Sequence, residues 1–184
     1  MTDTSDNLID VLVEHAKAGD RTAFGKLVAL MMNRTVALTY RMTGDMDAAE
    51  DLAQDTFVSA WQNLGGFKGA AKFESWIYRI ASNKSLNYLK RAGRSTDIET
   101  VMEAQSDDNP ERAFSQKELR RDMLEFMGSL PPQQRLVFEL HFYQERTFEE
   151  IASMTDKAHG TVKTLYREAV KKLREAARVK GWRS

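Results

Sequence analysis

"TFEEIASMTDKAHGTVKTLYREAVKKLRE", residues 147 to 175, sets a short segment with one apolar face, a turn of a few residues and a longer basic segment in succession. Thr147 and Glu150 have the spacing of a capping box, in which each side chain satisfies the other's backbone N–H. A helix is therefore expected over Phe148 to Met154, with Phe148, Ile151 and Ala152 facing inward. The second segment predicts a helix from about Gly160 to Val179, where Val162, Leu165 or Tyr166, Ala169 and Leu173 recur at helical spacing. This is the layout of a helix-turn-helix, whose second helix can lie in a major groove with its N-terminal residues at base edges. Thr161, Lys163, Thr164, Arg167, Lys171 and Lys172 are left for solvent or for DNA. A terminal helix laced with surface salt bridges would leave the same side chains outside, so the block alone admits both readings.

Working outward, "LPP" opens a helix over Gln133 to Tyr143. Asn109 as a cap and Pro110 at the first helical position predict another, to about Gly128. Before it, "STDIETVMEAQSDDN" has no sustained period and carries only negative charge, so residues 95–109 read as a flexible acidic linker. Farther upstream, glycines punctuate three more helical patterns: Leu8 to Ala18, Arg21 to Thr43 capped by Asp20, and about Met46 to Leu64. Strand-type alternation is absent. The expectation is an all-α chain of two small helical domains, 1–94 and 110–184, tethered without fixed separation.

Formal net charge is zero, but nine bases between Lys157 and Arg183 face only Glu168 and Glu175. Such a block is an electrostatic footprint that phosphate backbones can use. With no cysteine, disulfides and thiolate metal sites are excluded, which suits a reducing, cytoplasmic setting. His15, His141 and His159 are scattered, and there is no glycine-rich phosphate loop. No catalytic residue, metal site or cofactor is expected, and the chain does not read as an enzyme. No apolar run approaches the roughly 20 residues that span a bilayer, so no membrane insertion is expected.

Two stretches of the first domain carry more than core. In "DMDAAEDLAQDTFVSAWQNL" (45–64), Leu52, Ala53, Thr56, Phe57, Ala60 and Leu64 form an inward face. Asp47, Asp51, Gln54, Asp55, Val58 and Trp61 fall on or near the opposite side. An apolar residue and an aromatic among carboxylates suit docking of a basic partner helix; a solvated face with Trp61 folded onto the core is the alternative. In "FESWIYRIASNKSLNYLKR" (73–91), Phe73, Ile77, Ile80, Ala81 and Tyr88 form one apolar strip, and Tyr78, Leu86 and Leu89 a second. Between them lie Arg79, Lys90, Asn83, Trp76 and Asn87. Stacking on unpaired bases, hydrogen bonding to their edges and attraction to phosphate need these side chains. The preceding loop, "GGFKGAAK" (65–72), adds Phe67 and Lys68 among small residues that would let a flipped base approach.

"AFGKLV", "DAAEDLAQDTFVSAWQNLGGFKG", "FESWIYRIASNKSLNYLKR", "LPPQQRLVFELHFYQERTFEEIA" and "GTVKTLYREAVKKLRE" together resemble, in order and spacing, the group IV (extracytoplasmic function, ECF) sigma factors of bacterial RNA polymerase. The resemblance implies that the first domain recognises and helps melt the −10 promoter element and that the second reads the −35 element. It implies that the helix bearing Asp47, Asp51, Gln54, Asp55, Val58 and Trp61 binds the β′ clamp helices of core polymerase, with the β flap as a further contact. The loop from Phe67 and Lys68 to Phe73, with Trp76, would accommodate a flipped base. Asn83, Lys84 and Asn87 would face −10 bases, while Arg79, Lys90 and Arg91 hold backbone. Thr161, Lys163, Thr164, Arg167 and Lys171 would face the −35 duplex. An anti-sigma factor is a further implied partner. The recognition helix departs from the family's pattern at Lys157-Ala158 in the turn and at Leu165, Glu168 and Val170. Asp156 is the side chain placed to replace its missing cap.

Overall fold

Asp20 and Gly44 frame the longest helix among the described residues. The Asp20 carboxylate accepts from the N–H groups of Thr22 (2.8 Å) and Ala23 (3.1 Å). Gly44 ends the helix at φ 73°, a left-handed conformation open to glycine at little cost, and its N–H donates to the Tyr40 carbonyl. In this computed structural model, residues 2–93 and 110–181 are described, with side-chain surroundings for 7–93 and 118–181. The linker expected over 95–109, and the Asn109 cap, lie outside the described residues.

The first domain is built from α1 (Thr2–Lys17), α2 (Arg21–Thr43), α3 (Met46–Asn63) and α4 (Phe73–Ala92), with a 3₁₀ turn at Leu64–Gly66. The second contains α5 (Pro110–Ser129), α6 (Pro132–Phe138), a π-helical turn at Glu139–Tyr143, α7 (Phe148–Thr155) and α8 (His159–Lys180). No strand occurs among the described residues. The all-α reading and most helix limits agree with the sequence; α1 begins six residues earlier than Leu8, and the helix expected over Gln133–Tyr143 widens into π geometry at Glu139.

Close packing of α2 on α3 rests on small side chains. Thr35, Thr39 and Thr43, one turn apart on α2, are fully buried, as are Ala49 and Ala53 on α3. Their hydroxyls bond back to carbonyls four residues earlier, and Thr39 also donates across the seam to the Ala49 carbonyl at 2.8 Å. Buried polar atoms satisfied in this way cost little, and they fix the axial register of the two helices. Leu27, Leu38, Phe57, Phe73, Ile77 and Ala81 fill the space between α2, α3 and α4.

The apolar cluster does not stop at the domain boundary: Leu136, Val137, Leu140, Ile151, Met154 and Val162 belong to it. The two helical bodies are packed against one another, not merely tethered as expected. The reason is long-range chemistry that periodicity cannot show. Arg41 of α2 donates twice to Glu139, 98 residues away, at 2.6 and 2.7 Å. Burial by itself lowers the Arg41 guanidinium, and the hydrogen bonds and charge of Glu139 more than reverse this, leaving its pKa above the ordinary value. A smaller cluster of Phe126, Met127, Leu130, Phe138 and Ala169 holds the second domain together.

Candidate nucleic-acid interface

The 3₁₀ turn at Leu64–Gly66 reverses the chain out of α3 and projects the loop that precedes α4. Phe67 folds back from it onto two residues of α4, with ring centroids 5.1 Å from Trp76 and 5.6 Å from Phe73. Phe73 and Trp76 lie 5.7 Å apart, so the three rings form one aromatic platform. Their roles differ by burial. Phe73 is only 2% exposed and supports the platform from beneath, whereas Phe67 and Trp76 are half-buried and both line the loop cavity. Residues 66–71, with Ser75, Trp76 and Arg79, line an open cavity of about 320 Å³ whose far wall is Ser153 and Met154 of α7. That volume falls within the range of small-ligand sites.

Beyond the loop, α4 presents Arg79, Asn83, Asn87, Lys90 and Arg91 to solvent. Lys84 is half-buried and lies 3.9 Å from the Asp55 carboxylate, joining this helix to α3. The opposite side of α4 is sealed by Ile77, Ala81, Ser85 and Leu89. Amides and positive charge therefore continue the platform along one side of one helix, an arrangement that can stack, hydrogen-bond and neutralise phosphate along a single strand.

In the second domain, Thr147 accepts from the Glu150 N–H (3.2 Å) and Glu150 accepts from the Thr147 N–H (2.8 Å), the capping box expected from the sequence. Ile151 and Met154 on α7 and Val162 and Ala169 on α8 are buried, which sets the angle between the two helices. Thr161, Lys163, Thr164, Arg167 and Lys171 are all exposed on α8. Lys172, exposed too, is tied to Gln134 at 3.0 Å, and Gln134 in turn donates to Glu168 at 2.6 Å. The expected capping of α8 by Asp156 is not what the structure has. Asp156 takes φ 54° and ends α7, its N–H bonded to the Ala152 carbonyl, and Ala158 starts α8 with no side-chain cap. The left-handed turn needs a residue there, and aspartate is among the few L-residues that tolerate it.

On α3, Asp47, Asp51, Gln54, Asp55 and Val58 are exposed, and Trp61 is half-buried on Phe24 of α2 at 5.0 Å. The indole packs on Phe24 and also lines a shallow apolar groove. Arg21, Phe24 and Met32 complete that groove from α2, a contribution the sequence reading left out because it treated α3 alone. Also missed were Glu139, Arg135 and Arg146. The available signal was a lone glutamate inside "RLVFELHF", where every near neighbour is apolar or a potential partner. Among the described residues, no group of three or more acidic or histidine side chains could hold a metal ion.

A family profile for sigma-70 region 2 matches residues 27–95, and one for sigma-70 region 4 matches residues 126–175. The ECF RNA polymerase sigma-E factor of Escherichia coli is 34% identical over 173 residues, covering 87% of this chain and 90% of that one. The chain is an ECF sigma factor of the sigma-70 family. As such, it directs RNA polymerase to promoters. The RNA polymerase sigma-H factor of Pseudomonas aeruginosa is a further relative, 31% identical over 90% of this sigma factor and 95% of that one. Its fold is also that of CnrH, solved in complex with the cytosolic domain of CnrY, with TM-score 0.70 at 24% identity over 96% of this chain and 99% of that one. The sigma factor RpoE of Bartonella quintana, solved with the anti-sigma factor NepR, shares the fold with TM-score 0.65 at 21% identity, over 85% and 97% of the two chains. The aromatic platform and α4 lie within the region 2 match, and the exposed face of α8 lies within the region 4 match as far as residue 175.

Proposed function

We propose that this sigma factor, working in the cytoplasm on core RNA polymerase, reads the −10 element through its first domain (1–94) and the −35 element through its second (110–184). The observation that carries this is the single exposed strip on α4, where Arg79, Asn83, Asn87 and Lys90 continue the Phe67–Trp76 platform while the reverse side of the helix is buried. A base turned out of the duplex would enter the loop cavity against Phe67 and Trp76. Asn83 and Asn87, with Lys84 beside them, would read neighbouring unpaired bases, and Arg79, Lys90 and Arg91 would hold their phosphates. Melting then follows from linkage: a protein that binds unpaired strands more tightly than duplex shifts the equilibrium toward them.

Thr161, Lys163, Thr164, Arg167 and Lys171 would meet the −35 duplex in the major groove. The acidic side of α3, with Val58 and Trp61 beside the groove shared with α2, would dock a basic helix of the polymerase, the β′ clamp helices, and the second domain would contact the β flap. An anti-sigma factor covering one or both faces fits the complexes in which two proteins of this fold were solved. The factor acts by binding, without catalytic chemistry of its own. Runoff transcription with core polymerase and a pool of genomic promoters tests the whole. Discrete start sites that vanish with Asn83→Ala, while polymerase affinity holds, are the expected result; polymerase-independent binding to duplex promoter would point to a stand-alone regulator.

A further inference from the structure

The turn between α7 and α8 leaves a histidine at the tip of the second helix. Asp156 ends α7 in the left-handed conformation and Ala158 opens α8 with no side-chain cap, so His159 is the first helical residue. In a helix-turn-helix, residues at this end of the second helix are the ones that meet base edges. The His159 ring does not hang free there. Its Nε2 is buried, with the Glu149 carboxylate of α7 at 2.9 Å, met off the line of the N–H, while the side chain as a whole keeps 40% exposure. Phe148 stands beside it, ring centroids 6.4 Å apart, and is itself held by His141 at 4.3 Å and Tyr166 at 5.4 Å. His141 is anchored in turn by a 2.8 Å contact from its Nδ1 to the Arg146 carbonyl oxygen. Lys163, one turn along α8, lies 6.0 Å from the centroid of the same Phe148 ring.

The chemistry of the partner decides what the rest of the ring can do. An ionised carboxylate only accepts, so in the neutral imidazole it places the proton on Nε2 and leaves Nδ1 with its lone pair. Nδ1 is the one remaining polar atom of the ring. An acceptor there matches an amino group in the major groove, N4 of cytosine or N6 of adenine. Glu149 itself is 74% exposed, and its charge works against phosphate. We propose that His159, held in place by Glu149, is a specificity-determining residue of the −35 surface, accepting a hydrogen bond at Nδ1 from the amino group of a cytosine or adenine. Glu149 is the positioning residue: it fixes ring and tautomer and touches no base. The inference rests on reading α8 as the −35 surface.

Selection of bound promoters from a pool with a randomised −35 duplex, using the holoenzyme at pH 8, where imidazole is neutral, tests it. One −35 position should favour cytosine or adenine on one strand by about fivefold, the worth of one hydrogen bond, and His159→Ala should abolish the preference at that position alone. The salt dependence of binding should stay as it is, because no phosphate contact is lost. Glu149→Ala should flatten the same position. Glu149→Gln, whose amide oxygen still accepts from Nε2, should keep the preference while binding every sequence more tightly. A uniform loss across sequences with a shallower salt slope in His159→Ala makes the residue a phosphate contact and overturns the reader. A preference unchanged in Glu149→Ala overturns the positioning role. If Lys163→Ala and Arg167→Ala both leave selection and salt slope as in the parent, α8 is not the −35 surface and that reading fails. If they change either while His159→Ala changes nothing, the inference about His159 alone falls.

Discussion

Asn83 is the cleanest single probe of the proposed −10 surface, because its side chain is exposed. Asn83→Ala should leave the denaturation midpoint within about 0.5 kcal/mol of the parent. A pair of hydrogen bonds to a base edge is worth roughly 1 to 3 kcal/mol, so binding of the holoenzyme to a forked −10 template should weaken by about five- to 150-fold. Fluorescence anisotropy on matched templates measures it. Trp76 is a mixed case: it packs on Phe67 and Phe73, so Trp76→Ala should lose both DNA affinity and stability, and Trp76→Phe should restore part of each. The exposed positions of this strip were legible in the sequence, since a helix advances 100° per residue and the arc lies between two apolar strips. The burial of Phe73 was legible too, since it falls in the first apolar strip with Ile77 and Ala81; it was the family resemblance that grouped it with the base-binding loop.

At the scale of elements, caps and seams decide. Removing the Thr147 hydroxyl by Thr147→Ala should cost about 1 kcal/mol, seen in chemical denaturation, because α7 has only eight residues over which to make up the loss. Thr39→Val keeps the shape of the α2–α3 seam and deletes its bond to the Ala49 carbonyl, so a similar loss of about 1 kcal/mol is expected. On α8, replacing Lys163 or Arg167 by alanine should reduce the salt dependence of −35 duplex binding by roughly 0.9 in the log–log slope for each phosphate contact removed. A variant that instead changes sequence preference at constant slope would be touching bases. Helix limits were largely readable, from Asp20, Gly44, the capping box and the prolines. The turn before α8 was misread because aspartate serves as readily at a left-handed helix end as at a helix start, and spacing alone cannot tell them apart. The widening at Glu139–Tyr143 also escaped, since an apolar run has the same composition in α and π geometry.

Taken as a whole, the molecule gives its two proposed reading surfaces unequal access. The exposed face of α8 and the Asn83 end of α4 are open in this arrangement, whereas the loop end of α4 shares its cavity with α7. Buried Arg135 illustrates why the packing is specific: its guanidinium reaches the carbonyls of Met42, Gly128 and Leu130, and burial pushes its pKa down to about 10. Arg135→Met should therefore destabilise by about 1 to 3 kcal/mol through the carbonyls it leaves without that donor, measured by thermal unfolding. None of this contact was legible. Two-body organisation follows from local pattern and from the acidic stretch between the domains, but a pair such as Arg41 and Glu139 is joined only by the tertiary path of the chain.

That pair has a consequence for the history of the sequence. Charge at position 41 and charge at position 139 are constrained jointly, because either one alone inside the closed interface is costly and both together are tolerated. Among related chains that share this docking, the two positions should change in concert, through a swap of sign or a joint replacement by apolar residues. A lineage that lost only one of them would leave the other charge in the interface without its partner, at a cost of several kcal/mol.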